Sequence, residues 1–510
     1  MNPFEWLRPQ PAARQRAYAG AQVNRLTADW QALGSSADTE LLTGLRVLRA
    51  RSRELVRDND YAKNAVRIIK NNVVGTGIGL QAQVQTAGGQ LIDRINNQIE
   101  TAWEDWCDKR ICHTAGKLHF HDIERLIVGE LATAGEVLLR KVRRPFGGGS
   151  IPFALEVIEA DRLIDQWSSV RADNGNMIRM GVEQDEWGRP MAYWLHPSHP
   201  GDYQFTSFVP SRFVRVPADE ILHLYVVDRW PQSRGEPWFH TTIKRLYNMG
   251  GYEEAEIVAA RASANIYGIV KSPEPAAGED AGYQERLIES APGEILQLRP
   301  GEDFAGFAPS RPNAAMDPFL RLMLRGVAAG IGVSYESLSR DYSQSNYSSS
   351  RLALLDDRDL WRVLQGWLIR NVRNEIHRDW LDAAVLAGVV NPPDYFSNPR
   401  KYQQVRFRPR GWNWVDPTRE VEAFRKAVRS GFMTVGDVVA ATGGGADLED
   451  VLKARRRELD MMDELNLVLD TNPAQVADSG KPVPLAGEEP GQADAKPAAE
   501  AESDKPESTE

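Results

Sequence analysis

The chain reads as an α+β fold built around long helices, and three observations predict it. Between residues 51 and 235, short apolar runs with strand spacing alternate with turn-rich pieces. From Leu352 to Val385 a single helical pattern runs on, with Leu364, Leu368, Val372, Ile376 and Trp380 recurring at every fourth position. Residues 236–267 read as one helix rich in small side chains, among them Ala255, Ala259 and Ala262. Small residues on several faces let backbones approach closely on several sides. Such a helix belongs either in the core of a monomer or between copies of itself in a ring.

In chain order, Leu41, Leu45 and Leu48 recur at helical spacing and make residues 1–50 a helical arm. Val56–Asn71 is a second amphipathic helix that runs out into Gly75–Gly79. Leu91–Trp106 and His121–Ala134 are helices. Val137–Val142, Ala154–Ile158, Met177–Val182, Met191–Leu195 and Ile221–Val226 are strands. Ile266–Lys271 and Glu294–Leu298 are further strands, and Ala315–Ala329 is helical. Asp341–Arg351 is a polar run of serines and tyrosines wedged between two apolar helical patterns, which predicts a mobile loop. The helix from Leu352 is about 50 Å long at about 1.5 Å per residue, more than a small globule accommodates easily. Asp416 is placed to cap a C-terminal helical unit with Pro417 in its first turn, and Gly443–Gly445 interrupts that unit.

At 510 residues the chain can bury a large core, and 42% hydrophobic with 26% charged residues is ordinary for a globular protein. No apolar run reaches the length of about 18 residues that a membrane span needs. The opening Met1–Arg8 lacks the layout of a signal peptide. Two cysteines fit a reducing compartment rather than a disulfide scaffold. The net charge is −10, but residues 470–510 hold ten Asp or Glu and three Lys, so the remaining body is near neutral at −3. Tight nonspecific DNA binding needs clustered Lys and Arg, so any DNA handled here is held loosely. The Pro, Ala, Glu and Ser content of 470–510 predicts disorder.

Catalytic and metal-binding motifs are poorly matched in the sequence. Cys107, Cys112, His113, His119 and His121 carry metal-ligand types, but their spacing misses the short paired knuckles of structural zinc sites. They read as small buried thiols beside loop histidines, with no metal and no cofactor. Gly75–Gly79 lacks the Gly-Lys-Ser/Thr ending of a phosphate loop and reads as a turn from helix into strand. No G-x-S-x-G or H-E-x-x-H is present. Asp356, Asp357 and Asp359 read as a solvated helix face.

Several segments share their wording and order with one family. They are Val73–Ile78, Ala134-Gly-Glu136, Glu159-Ala-Asp-Arg162, Gly181-Val-Glu183 with Asp185, Gly188-Arg-Pro190, Arg229–Pro237, Gly332–Glu336, Asp341–Arg351 and Trp414-Val-Asp-Pro417. Together they resemble the portal proteins of lambda-type tailed bacteriophages, over about residues 45–460. Ser334 stands where that family often has proline. The resemblance implies the portal fold of wing, stem, clip and crown, assembled as a dodecameric ring at one capsid vertex. Residues 1–50 would be an N-terminal arm, 51–235 the wing, 236–267 the first stem helix and 268–313 the clip. Residues 314–333 would be the second stem helix, 334–350 the tunnel loop, 351–415 the long wing helix with its connection, 416–469 a helical crown and 470–510 the acidic tail.

In family terms, Ala255, Ala259 and Ala262 would line the subunit contact. Arg340, Asp341, Tyr342, Ser343, Gln344, Ser345, Asn346, Tyr347, Ser348, Ser349 and Arg351 would face double-stranded DNA moving through the channel without sequence specificity. The implied partners are the terminase large subunit, the major capsid or scaffold proteins and a head–tail adaptor, with no membrane. The implied location is the virion, after assembly in the host cytoplasm. The implied role is not enzymatic. The other class of reading is a metal-dependent phage nuclease or capsid-maturation enzyme, resting on the Cys/His cluster or the acidic residues of the long helix.

Because the tail offers little apolar surface to bury, truncation after Leu469 is expected to leave folding and ring assembly intact. Size-exclusion chromatography with light scattering checks this, and a truncated chain found only as monomers would refute it.

Overall fold

The computed structural model describes residues 34–170, 174–202, 213–265, 268–271, 303–306, 315–412, 417–442 and 447–465, with single residues 25, 28, 29, 172, 313 and 467. The chain divides into two compact units, 1–410 and 411–510.

The first unit is mixed α+β. Helices α1 (Ala37–Asp58) and α2 (Asp60–Val73) meet at Asn59, which ends the first and caps the second by accepting from the amides of Tyr61 and Ala62. The expected boundary between arm and wing at residue 50 therefore falls inside a helix. After α2, Gly75 (φ +63°) and Gly77 (φ +134°) make the turn into β1 (Gly79–Ala82), as a helix-to-strand turn requires. Helices α3 (Asp93–Trp106), α4 (Lys109–Cys112) and α5 (Phe120–Ala134) follow, and α5 ends at Gly135 in the left-handed region (φ +87°).

Strands β2 (Glu136–Val142) and β3 (Ala154–Ile158) pair antiparallel. Next come β4 (Met177–Arg179), β5 (Val182–Gln184), β6 (Pro190–Leu195), β7 (Val214–Pro217) and β8 (Ile221–Tyr225). They form two antiparallel sheets, ordered β3-β2-β8 and β4-β5-β6-β7. The strand expected over Met177–Val182 is instead a tight hairpin. Met180 and Gly181 both take positive φ (45° and 82°), and a Cβ on Gly181 would lie 2.3 Å from the carbonyl oxygen of Ile164. Leu138, Ile158, Leu163, Val182, Tyr193, Leu195, Val216 and Ile221 interleave as one apolar core between the sheets.

Residues 236–242 are not helical, contrary to the expectation. The Trp238 amide donates to Ala132 of α5, which pins this stretch before α6 (Ile243–Asn265) begins. Strand β9 (Gly268–Lys271) pairs with β10 (Asp303–Gly306). The strand expected over Glu294–Leu298 lies outside the described residues. Helix α7 (Met316–Ile331) is followed by the short α8 (Tyr335–Ser339) and by α9 (Tyr347–Leu368). The chain then passes through a π-helical turn (Ile369–Arg373) into α10 (Asn374–Leu386). The long helix thus starts at Tyr347 rather than Leu352. Residues recurring every fourth position on an ideal helix drift about 40° per step, and a π turn takes that drift back. This is how Leu368, Val372, Ile376 and Trp380 all stay buried. After α11 (Pro399–Tyr402), β11 (Val405–Arg408) returns to pair with β1 and closes the unit.

The second unit is helical: α12 (Pro417–Arg429), α13 (Val435–Thr442) and α14 (Leu448–Glu464). Pro417 opens α12 as expected, while Asp416 and Gly443–Gly445 lie outside the described residues, as does the expected disordered tail. None of these three helices contains a buried residue.

The first unit is organised around Glu136, fully buried at the start of β2. Its carboxylate accepts from Arg49 Nη2 (2.6 Å), Arg234 Nε (2.9 Å), His223 Nε2 (2.9 Å) and the Gly235 amide (2.9 Å). Arg234, also fully buried, donates onward to the carbonyls of Met180 (2.8 Å) and Ala160 (3.3 Å). Burial opposes the charge of Glu136, but the guanidiniums of Arg234 and Arg49 hold its carboxyl well below the usual range. The glycines on either side make the close approach possible. A Cβ on Gly135 would lie 2.3 Å from the carbonyl carbon of Glu236, and one on Gly235 2.2 Å from the oxygen of Gly135.

Removing one partner of a buried, fully hydrogen-bonded pair strands the other. Arg234→Met is therefore expected to destabilise the first unit by about 3–5 kcal/mol. Arg229→Met, on an exposed arginine of the same segment, should cost under about 1 kcal/mol. Urea denaturation of both variants checks this, and equal midpoints would refute it.

Candidate functional site

The serine-rich stretch is shorter and better anchored than its composition predicts. Helix α7 stops at Gly332 (φ +80°). Ser334 then begins α8, and buried Asp357 of α9 accepts from the Ser334 amide (2.8 Å), Ser334 Oγ (2.7 Å) and Ser337 Oγ (3.2 Å). At the other end of α8, Asn64 of α2 donates to the carbonyls of Ser337 (3.1 Å) and Leu338 (2.7 Å). Arg340 closes α8 in the left-handed region (φ +60°).

Past Arg340 the backbone is irregular only as far as Asn346. There Asn346 accepts from the Ser349 amide (2.8 Å) while Ser349 Oγ accepts from the Asn346 amide (3.1 Å), a reciprocal box that starts α9. The expected loop over 334–350 therefore divides. Residues 335–339 are α8, and Tyr347, Ser348, Ser349 and Arg351 belong to the first turns of α9. The side chain of Tyr347 lies outside the described residues. What projects is Tyr342–Ser345, a turn closed by the Ser345 amide and Oγ donating to the Tyr342 carbonyl (3.2 and 3.0 Å). Tyr342, Ser343 and Gln344 are exposed. Asp341 at its base accepts from Tyr335 Oη (2.8 Å) and the Ser343 amide (3.0 Å) and faces Arg321 Nε at 3.5 Å. The bonds to Ser343 lower its carboxyl to about 2, so it is ionised at neutral pH.

Helices α6 and α7 lie against one another. Tyr252 and Phe319 stack edge to face at 4.9 Å, and Cβ atoms on Gly330 and Gly326 would run into Thr242 and Arg245. Near Gly330 the pair is rooted by buried Ile243, Leu246, Met249, Leu324 and Val327. Farther out, no residue of α6 from 250 to 261 is buried, nor any of α7 from 316 to 323. Ile257, Val258, Phe319 and Leu322 are exposed there, and so is Ala255. Ala259 is half-buried, and the Ala262 side chain lies outside the described residues.

The Cys/His cluster is built into the fold. Cys107 and Cys112 are buried thiols, and Cys112 Sγ donates to the Cys107 carbonyl at 3.4 Å. Burial pushes the Cys112 thiol up to about 12. His113 Nδ1 accepts from the Leu118 amide (3.2 Å), and His119 caps α5. His121 Nδ1 meets Glu124 Oε2 at 3.1 Å. Buried Glu124 in turn holds Arg373 of the π turn through Nη2 (2.9 Å), beneath the rings of Phe120 and Phe407. Among the described residues, Glu159, Asp161 and His199 bring ligand atoms within 4.8 Å of one another. That negative charge is already answered by Arg53, which reaches Glu159 at 2.8 Å and also pairs with Asp161. The acidic run on α9 is not one solvated face: Asp357 is buried, whereas Asp359 is exposed and pairs with Arg362 at 2.8 Å.

Asn64, Arg321, Tyr335 and Asp357 anchor this segment, and none of them stands out as an anchor in the sequence. Ser334-x-x-Ser337 before a short helix was the available signal for a cap, but its carboxylate comes from α9, which spacing does not reveal.

A family model described as phage portal protein, lambda family, matches residues 23–365. The chain is 30% identical over 456 residues to a probable portal protein of Halomonas phage phiHAP-1, covering 86% of each. It is 21% identical over 476 residues to portal protein B of Escherichia phage lambda, covering 84% of this chain and 86% of that one. Among solved structures it is similar, at 15% identity, to a chain from the virion of a native gene transfer agent particle (TM-score 0.41, 82% of this chain and 98% of that chain). It is also similar, at 15% identity, to one from the neck of that particle (TM-score 0.40, 77% and 93%). With the family model spanning most of its length and the same motifs gathered about Glu136 and the Tyr342 turn, the chain belongs to the lambda family of phage portal proteins.

Proposed function

We propose that the chain assembles as a ring of twelve at one capsid vertex, with the Tyr342–Ser345 turns facing double-stranded DNA in a central channel. The observation that carries this reading is the shape and chemistry of that turn. It projects from two capped helices and presents hydroxyl, amide and phenol groups. Such groups touch phosphate and sugar without the grip of clustered lysines. The two sheets with α1–α5 and α9–α11 would form the wing, α6 and α7 the stem, residues 268–313 the clip and α12–α14 the crown. The outer halves of α6 and α7 expose apolar and small side chains, and no described residue of α12–α14 is fully buried. A closed ring covers both, because cyclic symmetry repeats one heterologous contact until it closes. The terminase large subunit, capsid or scaffold proteins and a head–tail adaptor would dock on this ring, and ATP hydrolysis would reside in the terminase. Virion location follows from the same reading. The nuclease alternative gains no support from the Cys/His cluster, whose polar atoms serve caps and buried pairs.

Two tests bear on this. Ala255 is exposed, so Ala255→Phe is expected to leave the melting temperature of the isolated chain within about 2 °C while abolishing rings in electron micrographs. Normal rings would remove α6 from the subunit contact. Tyr342→Ala, or lysines at Ser343 and Ser345, should leave rings intact but alter packaging in vitro. Added lysines should slow DNA passage most at low salt. Rings that package and retain full-length DNA as the parent does would overturn the channel assignment.

A further inference from the structure

We propose that Asp341 is the positioning residue of the Tyr342–Ser345 turn, a carboxylate tether that passes the position of α7 to the turn through Arg321. The proposal rests on the channel reading of that turn and adds how its position is set. Helix α8 is held at its start by Asp357 and at its end by Asn64, so it is a rigid base. The bonds within the turn and at its far end are local, from Ser345 to Tyr342 and between Asn346 and Ser349. They shape the turn without tying it to α7.

Asp341 is where three elements meet. One oxygen accepts from the Ser343 amide at 3.0 Å and so belongs to the turn. The other accepts from Tyr335 Oη of α8 at 2.8 Å and faces Arg321 Nε of α7 at 3.5 Å. Arg321 also holds Asp317, one turn earlier on its own helix, at 2.9 Å, and Arg325, one turn later, stands over the Tyr335 ring at 5.5 Å. A run of α7 side chains therefore grips the Asp341–Tyr335 pair. A shift of α7 relative to α8 carries Arg321 with it and pulls on the carboxylate that holds Ser343. An aspartate suits this place. It is short enough to close the bond two residues on in the same loop, and its second oxygen is left for the two partners outside the turn.

The test uses assembled rings of the full chain and reads amide hydrogen exchange by mass spectrometry or NMR, together with DNA retention after packaging. Asp341→Asn is expected to speed exchange at Ser343–Ser345 by about tenfold while leaving the Leu338 and Arg340 amides, anchored through α8, unchanged. Arg321→Gln, which leaves Asp341 in place, is expected to speed the same amides by about threefold. The double variant should match Asp341→Asn alone, because the two residues act through one contact. Parental exchange at Ser343 in Asp341→Asn, or fully additive effects in the double variant, would overturn the tether. If Asp341→Asn does not assemble, Arg321→Gln decides, and unchanged exchange there overturns the proposal as well. The channel reading fails separately. If Asp341→Asn shows the faster exchange but both it and Tyr342→Ala package and retain DNA normally, the tether stands and the turn does not touch DNA.

Discussion

A buried carboxylate must be answered by charge and hydrogen bonds or it does not stay charged. Glu136 is answered from every side, and the first unit depends on that. Arg49 brings α1, Arg234 and Gly235 bring the segment before α6, and His223 brings the neighbouring strand β8. Through Arg234 the same node reaches the hairpin turn at Met180 and the carbonyl of Ala160. The motifs around Ala134–Glu136, Glu159–Arg162, Gly181–Glu183 and Arg229–Pro237 look unrelated along the chain. In space they are the parts of one junction. Glycine is required at both positions, since a Cβ on Gly235 would strike the Gly135 carbonyl and one on Gly135 the backbone of Glu236.

The same device recurs at smaller scale. Glu124 and Arg373 join α5 to the π turn, and the Phe120 ring over Arg373 packs in turn against Trp103 and Trp106. Glu183 accepts from Arg215 (2.8 Å), Asn174 (2.7 Å) and Asn176 (2.8 Å) on the second sheet, and the Arg215 bond lowers its carboxyl to about 2. Asp357 fixes α8. In each case a polar group inside the fold sets the direction of a helix or turn, where an apolar contact would leave it free to slide.

How much was legible in the sequence follows from range. The helices over α3 and α5, the turn at Gly75–Gly79 and the stripe on α9–α10 are written in local spacing and were readable. Strands β1, β7 and β11 were not, because each is only four residues long and β1 finds its partner more than 300 positions away. The hairpin at Met180–Gly181 reads as one strand in the sequence because apolar residues flank the turn on both sides. For the candidate site, the polar turn itself was legible as composition. Its anchors were not, since Asp357, Asn64 and Arg321 come from three other helices and carry no signal at their own positions. The serines at 348–350 read as loop because serine is a weak helix former, and only the Asn346–Ser349 box shows that they begin a helix.

The near neutrality of the body takes on a structural meaning from these junctions. Part of its charge is held within the fold: Arg49, Arg234, Arg373, Glu124, Glu136 and Asp357 are all buried, paired with one another or hydrogen-bonded to backbone and serine hydroxyls. The Tyr342–Ser345 turn itself carries no formal charge; exposed Arg340 lies just before it, and Asp341 accepts from Tyr335 and faces Arg321. A surface meant to hold DNA would reverse this distribution, with arginines outward and carboxylates buried elsewhere. On the channel reading proposed above, a neutral, hydroxylated turn would let a polyanion pass close by without being caught.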